Sequence, residues 1–321
     1  MNRFLPLVLG AGLLTLTSAC VGSADAGVQP GRAIGVPLID AALVTPQFGW
    51  VLTADQVLLT KDGGGTFTAA AVPLPNGLAR TAYFRDASQG WVAATDGATI
   101  TVARTADGGA TWKSATVESV EPIGGLSVGF GGATDGALLA KVQTSPAFSK
   151  AHLFGTADGG ATWQEKSAPV AGQVSVEPDG RLWLAGGVLG NELYTSSDHG
   201  TKWTKPSLAL AQAGTIDGVA APQDGVVSAK VSDGTATRVA RLTSPDGGAT
   251  WRESATAKQD KAAPAGAFHV TFASDTAGWA VASAGQCANG KQDCSVTYSV
   301  QATTDGGATW KRLVTYVEKL T

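Results

Sequence analysis

Charge, cysteine and histidine are all scarce in this chain. Only 15% of its 321 residues are Asp, Glu, Lys or Arg, the formal net charge is −3, and no run of five basic residues occurs. Neutralising phosphates takes a concentration of Lys and Arg, so nucleic acid is excluded as a partner class. The three histidines, His152, His199 and His269, are scattered, and only one pair of cysteines lies close together. No metal-ligand spacing results, and neither a metal nor a cofactor is expected. Long apolar runs are absent too. The one candidate, residues 4–16, is shorter than the ~20 residues a membrane-spanning helix needs, and Pro6, Gly10 and Gly12 interrupt it. No convincing amphipathic helix pattern occurs anywhere.

Glycine and tryptophan are abundant instead, with 42 and nine copies. They are organised by an octet. Residues 105–112 read Thr-Ala-Asp-Gly-Gly-Ala-Thr-Trp and return unchanged at 156–163, with variants at 60–67, 196–203, 244–251 and 303–310. Paired small residues supply the positive φ of a tight hairpin, and the preceding Asp can turn its carboxylate onto the free N–H groups of the turn. The Thr and Trp then open an outgoing strand. The octet aspartates are Asp62, Asp107, Asp158, Asp198, Asp246 and Asp305, 40 to 59 residues apart, and the closing aromatics are Phe67, Trp112, Trp163, Trp203, Trp251 and Trp310. Periods of this size indicate propellers, solenoids or arrays.

A second marker recurs ahead of each octet. Gly49, Gly90, Gly136, Gly180, Gly225 and Gly278 each close a turn between two apolar runs, with Trp directly after the glycine at positions 50, 91 and 279. Two strands here and two around the octet make four per repeat. Radial repetition of four-stranded units predicts an all-β propeller of six blades, with seven as the alternative if residues 28–40 and the C-terminus build one more.

The octets resemble the Asp box, or bacterial neuraminidase repeat, of the sialidase-type propeller superfamily. Together with the Gly-Trp turns, and with Phe84-Arg85-Asp86 as the best match, the chain is similar to the photosystem II stability and assembly factor branch. That resemblance implies a box joining the third and fourth strands of each blade, with its Trp between blades. It is nearly silent on chemistry. Fold does not by itself give function.

Residues 1–19 read as a signal peptide: Arg3 gives a positive start, an apolar run comes next, and Ser18-Ala19 precedes Cys20. The ending resembles a bacterial lipobox, although Thr17 stands where Leu is usual. Lipidation at Cys20 is expected, with secretion as the alternative. Residues 20–32 then suit a flexible tether and residues 33–321 the propeller. For Cys287 and Cys294 an extracytoplasmic disulfide is expected, a metal pair being the other reading.

In a propeller blade the turns between strands one and two and between three and four share one face, which therefore holds every octet. The spacing from turn glycine to octet Asp is longest in blades three, five and six. Candidate binding loops are accordingly 144–150, with Ser145, Phe148 and Lys150; 232–237, with Asp233; and 284–294, with Lys291 and Asp293. Catalytic sets are lacking. Sialidase chemistry needs converging arginines and a Tyr–Glu pair, yet residues 32–37 do not match the usual Arg-Ile-Pro, and Tyr83, Tyr194, Tyr298 and Tyr316 have no recognisable Glu partner. Residues 125–129 fit a nucleophile-elbow spacing but fall on an inner strand, where that motif cannot act. Glu118 and Glu121 read as solvated edge charges. The expected function is that of a monomeric, non-enzymatic, lipid-anchored scaffold that binds a protein or a cell-envelope glycan in the manner of an assembly factor; the alternative is an exo-sialidase.

Overall fold

Six antiparallel sheets succeed one another along the chain, each built from one repeat. The computed structural model describes residues 32–75, 77, 79–119, 121–143, 150–209, 215–223, 226–232, 237–243, 249–253, 261–288 and 292–320. A two-residue strand, β1 (Arg32–Ala33), precedes the first blade. Blade one is β2 (Leu38–Leu43), β3 (Gly49–Thr53), β4 (Val57–Thr60) and β5 (Thr68–Ala70); blade two is β6 (Ala79–Phe84), β7 (Gly90–Thr95), β8 (Thr99–Thr105) and β9 (Lys113–Glu118). Blade three is β10 (Ile123–Phe130), β11 (Gly136–Val142), β12 (Ala151–Thr156) and β13 (Gln164–Lys166).

Blade four holds three strands, β14 (Gly172–Val176), β15 (Leu182–Gly186) and β16 (Glu192–Ser196), with Thr204 bridged to Thr195 in place of a fourth. The chain then crosses to blade five, where β17 (Ser207–Ala209) pairs in parallel with the outer strand. That blade continues as β18 (Thr215–Gln223), β19 (Val226–Ser232), β20 (Thr237–Thr243) and β21 (Thr250–Glu253), with β22 (Lys261–Ala262) also on β20. Blade six is β23 (Ala267–Phe272), β24 (Gly278–Ala288), β25 (Gln292–Thr303) and β26 (Lys311–Leu320).

Burial explains the stacking. Second strands are covered on both faces: every residue of β3, β7 and β15 is buried, because each blade packs between two others. Outer strands are largely exposed, as in β9. The first strands touch their counterparts in neighbouring blades, β6 against β10, β10 against β14, β14 against β18 and β2 against β23, and so form the inner wall around a central channel. One apolar cluster joins Leu43, Val51, Leu58 and Phe67 of blade one to Trp279, Val281, Val300 and Val314 of blade six. The ring is therefore closed between the last blade and the first. The molecule is a six-bladed β-propeller, and no helix long and apolar enough to cross a membrane occurs among the described residues.

Residues 28–40 build no seventh blade where they are described. Arg32 and Ala33 lie parallel to β26, opposite Val314 and Thr315, and β2 belongs to blade one.

Aromatic groups fill the seams. Trp91 of blade two stacks on Phe130 of blade three at 3.7 Å between centroids, and Trp163 meets Phe130 edge-on. Phe84 lies between Trp50, which it meets at a tilt with 6.4 Å between centroids, and Trp112, which it meets edge-on. Trp279 meets Phe67 across the closing seam, and Trp183 meets Trp251. The sequence marks Trp only at 50, 91 and 279, but Trp183 occupies the same register, since Trp183 faces Thr195 as Trp91 faces Arg104. Two extra turn residues after Gly180 displace it from the glycine and hide it from a motif search.

Candidate binding face

The octets sit where strand three hands over to strand four, and their chemistry is repeated almost atom for atom. In the second copy the Thr105 hydroxyl donates to Asp107 Oδ1 (2.8 Å) and accepts from Gly109 N–H (2.9 Å). Asp107 in turn accepts from Thr111 N–H at Oδ1 (2.8 Å) and from its hydroxyl at Oδ2 (2.5 Å). Asp62, Asp158 and Asp305 make the same bonds, and Asp198 lacks only the hydroxyl bond, because Lys202 replaces Thr. The Thr66 amide holds the Asp62 carboxyl down at about 2, while the hydroxyls of Thr111 and Thr309 do so first for Asp107 and Asp305, both also at about 2. Both oxygens are thus engaged by the turn itself, which is a structural role. Asp246 lies outside the described residues.

The first turn glycine of the octet also donates back to the turn between strands one and two: Gly63 to Gln47, Gly108 to Ser88, Gly159 to Thr134 and Gly306 to Thr276, at 2.7 to 2.9 Å. These bonds hold the two kinds of turn together on one face. In blade four His199 takes that glycine's place with φ 55°.

The opposite face is different. Val188 and Leu189, at the tip between β15 and β16, are 66% and 72% exposed; Phe268, at the start of β23, is 38% exposed; and Val317, late in β26, is 49% exposed. These are all the exposed large hydrophobic side chains among the described residues, and all four lie on the face away from the octets.

Blade six also rises there. β23 pairs with β24 only as far as Ala267 opposite Ala282, but β24 runs on to Ala288, and β25 and β26 stay paired as far as Cys294 opposite Leu320. The overhang of about five residues is roughly 17 Å tall at the usual strand rise. Residues 284–294, expected as a loop, are mostly strand. Cys287 and Cys294 face each other across it and form a disulfide, with Cα atoms 3.9 Å apart. Tyr298 and Tyr316 stack beside each other lower on the same wall.

Of the other expected loop residues, Lys150 is exposed and pairs with Glu121, whose carboxyl is lowered first by that lysine and then by His152. His152 is held on both ring nitrogens, by Glu121 at 2.9 Å and Glu165 at 2.6 Å. Glu121 is therefore part of an ion cluster and not a lone solvated charge. Ser145, Phe148, Asp233, Lys291 and Cys20 lie outside the described residues, as does the side chain of Asp293.

No hydrolase set is assembled from the tyrosines. Tyr83 donates to the Phe130 carbonyl (2.7 Å), Tyr194 lies under Lys205, and Tyr298 and Tyr316 contact each other. Residues 125–129 fall within strand β10, so no strand-to-helix elbow forms.

No protein-family model matches the chain, and no curated protein matches it by sequence. Solved structures do. YCF48 from Cyanidioschyzon merolae is 18% identical with a TM-score of 0.49, over 89% of this chain and 87% of that one. YCF48 bound to a D1 peptide is 16% identical at 0.48, over 89% and 83%. A GH74 xyloglucanase from Xanthomonas campestris is also 16% identical at 0.48, and there the match covers 89% of this chain but only 46% of the enzyme.

Proposed function

We propose that the chain is a non-enzymatic bacterial binding scaffold, held outside the cytoplasm by a lipid on Cys20, that takes a protein or cell-envelope glycan on the face opposite the octets. The observation that carries this reading is the gathering of every exposed large hydrophobic side chain of the described residues on that face, beside the disulfide-clamped overhang of blade six. Scattered single apolar residues need no explanation, whereas their confinement to one side of a closed ring does. Rigid scaffolds commonly place their recognition elements this way.

A photo-crosslinking residue at Gln286, on the overhang, tests it against one at Lys61, in an octet. Both positions are exposed. In intact cells a discrete adduct should form from Gln286 and not from Lys61; equal labelling, or none from Gln286, sinks the reading. Hydrolysis of a fluorogenic sialoside, lost in Tyr→Phe variants, would instead favour an exo-sialidase. Labelling with radioactive palmitate, abolished in Cys20→Ala, checks the anchor.

A further inference from the structure

Blade six ends in a strand edge that is only partly covered. β26 is its outermost long strand, and β1 runs along it only at Val314 and Thr315. The Ile34 N–H donates to the Thr315 carbonyl, after which the chain leaves for β2. From Tyr316 to Leu320 the strand continues into the overhang, paired with β25 on one side. Among the described residues nothing pairs with its other side.

Strand geometry says which groups are left there. The N–H and C=O of one residue point the same way, and successive residues alternate between the two sides of the strand. Thr315 faces β1, so Val317 and Lys319 face outward as well, while Tyr316 and Glu318 face β25. Val317 and Lys319 thus present their N–H and C=O groups with no backbone partner among the described residues. An uncovered edge of this kind is a template for another extended chain. The same edge already holds one such chain in β1.

Side chains decide which chain fits. Val317 and Lys319 share a face, Val317 beside Thr297 and Lys319 beside Ser295, with Gln286 next in the row. Both are exposed, and no carboxylate among the described residues pairs with Lys319. A second copy of this chain fits poorly. Antiparallel pairing about a two-fold axis at Glu318 sets that carboxylate against its own counterpart, and an axis at Lys319 does the same with two ammonium groups. Like charges directly opposite are destabilising. An axis at Val317 carries the partner's Lys319 to Thr315, where Ala33 already lies. The edge is therefore closed to self-pairing and open to a chain of complementary charge.

The geometry points to a peptide-docking edge at Val317 and Lys319 of β26, where an extended segment of another protein adds as an antiparallel strand, an acidic residue against Lys319 and an apolar one two places later against Val317. It rests on the proposed function for the face and narrows the partner to a protein segment. Main-chain bonds supply affinity in such a mode, and alternate side chains supply selectivity.

The test uses the ¹⁵N-labelled mature chain and the peptide acetyl-Thr-Thr-Glu-Thr-Val-amide. Saturable shifts are expected at the Val317 and Lys319 amides, with hydrogen exchange there slowed at least threefold at saturation. Exchange at Tyr316 and Glu318 should not change, because β25 already holds those amides. Replacing Glu by Lys in the peptide should weaken binding at least threefold, and Lys319→Glu should reverse that preference. Val317→Pro removes one outward donor while sparing the ladder to β25, and it should abolish binding. Absence of a saturable shift in the unmutated chain, equal protection at all four amides, or a preference that Lys319→Glu leaves unreversed overturns the edge, even if the Pro variant fails to fold. A concentration-dependent dimer in sedimentation, lost in Val317→Pro, assigns the edge to a second copy and overturns it too. A crosslink from Gln286 without protection by the peptide would remove this edge and leave the proposed face standing.

Discussion

At the scale of single residues, the octet shows why six copies recur with so little variation. One carboxylate closes the turn, accepting from a backbone N–H and, in most copies, a hydroxyl, and this arrangement depends on its charge. A carboxyl held at about 2 against an ordinary value near 3.8 contributes stability that is full above pH 4 and is lost as the pH falls through about 2. Asp107→Asn should therefore flatten the fall in melting temperature between pH 4 and pH 2, measured calorimetrically; an unchanged acid profile would mean the turn does not feel the charge. Packing should weigh more. Trp91 is 3% exposed, stacks on Phe130 and donates its indole N–H to the Gly159 carbonyl, all across one seam. Trp91→Ala should cost about 3–5 kcal/mol in urea unfolding, because a stacked seam cannot collapse into the space left. Trp112, only half-buried, should cost less.

Single elements are legible in the sequence in proportion to how strictly their turns are constrained. Positive φ at Gly108 and Gly109 favours glycine, so the octets announce themselves, and the turn glycines fix the strand that comes next. Blade four is harder to read because Trp183 is displaced and His199 replaces a glycine, while its fourth strand is reduced to the Thr204 bridge. Residues 284–294 read as loop because length alone cannot separate a longer loop from longer strands. The disulfide acts on this element. Closing so short a segment constrains the unfolded chain by at most about 2.5 kcal/mol. Cys287→Ser with Cys294→Ser should lower the melting temperature slightly while hydrogen exchange accelerates at residues 284–287 and 294–298. Acceleration spread evenly over blade six would contradict a local role.

For the whole molecule, the ring is closed by side chains packed between blades one and six, and β1 is an addition to it. Strand β26 runs from the octet side towards the far face, and β1 lies parallel to it, so the chain enters β1 at its octet-side end. If Cys20 tethers the protein as proposed, the tether joins the ring on its octet side. The pairing that bears any pull on that tether is small: Arg32 and Ala33 beside Val314 and Thr315, and the Ile34 N–H on the Thr315 carbonyl at 2.7 Å. Tension applied ahead of Arg32 loads these few bonds in shear, whereas the aromatic seams carry none of it until they have parted. In force spectroscopy with the handle at residue 20, β1 should detach in a small, reversible first step, with loss of the ring at higher force. A single rupture would place β1 within the load path of the propeller. Under that proposed tether the strand would serve as a mechanical fuse, giving way to a tug at the envelope and letting the blades stay shut.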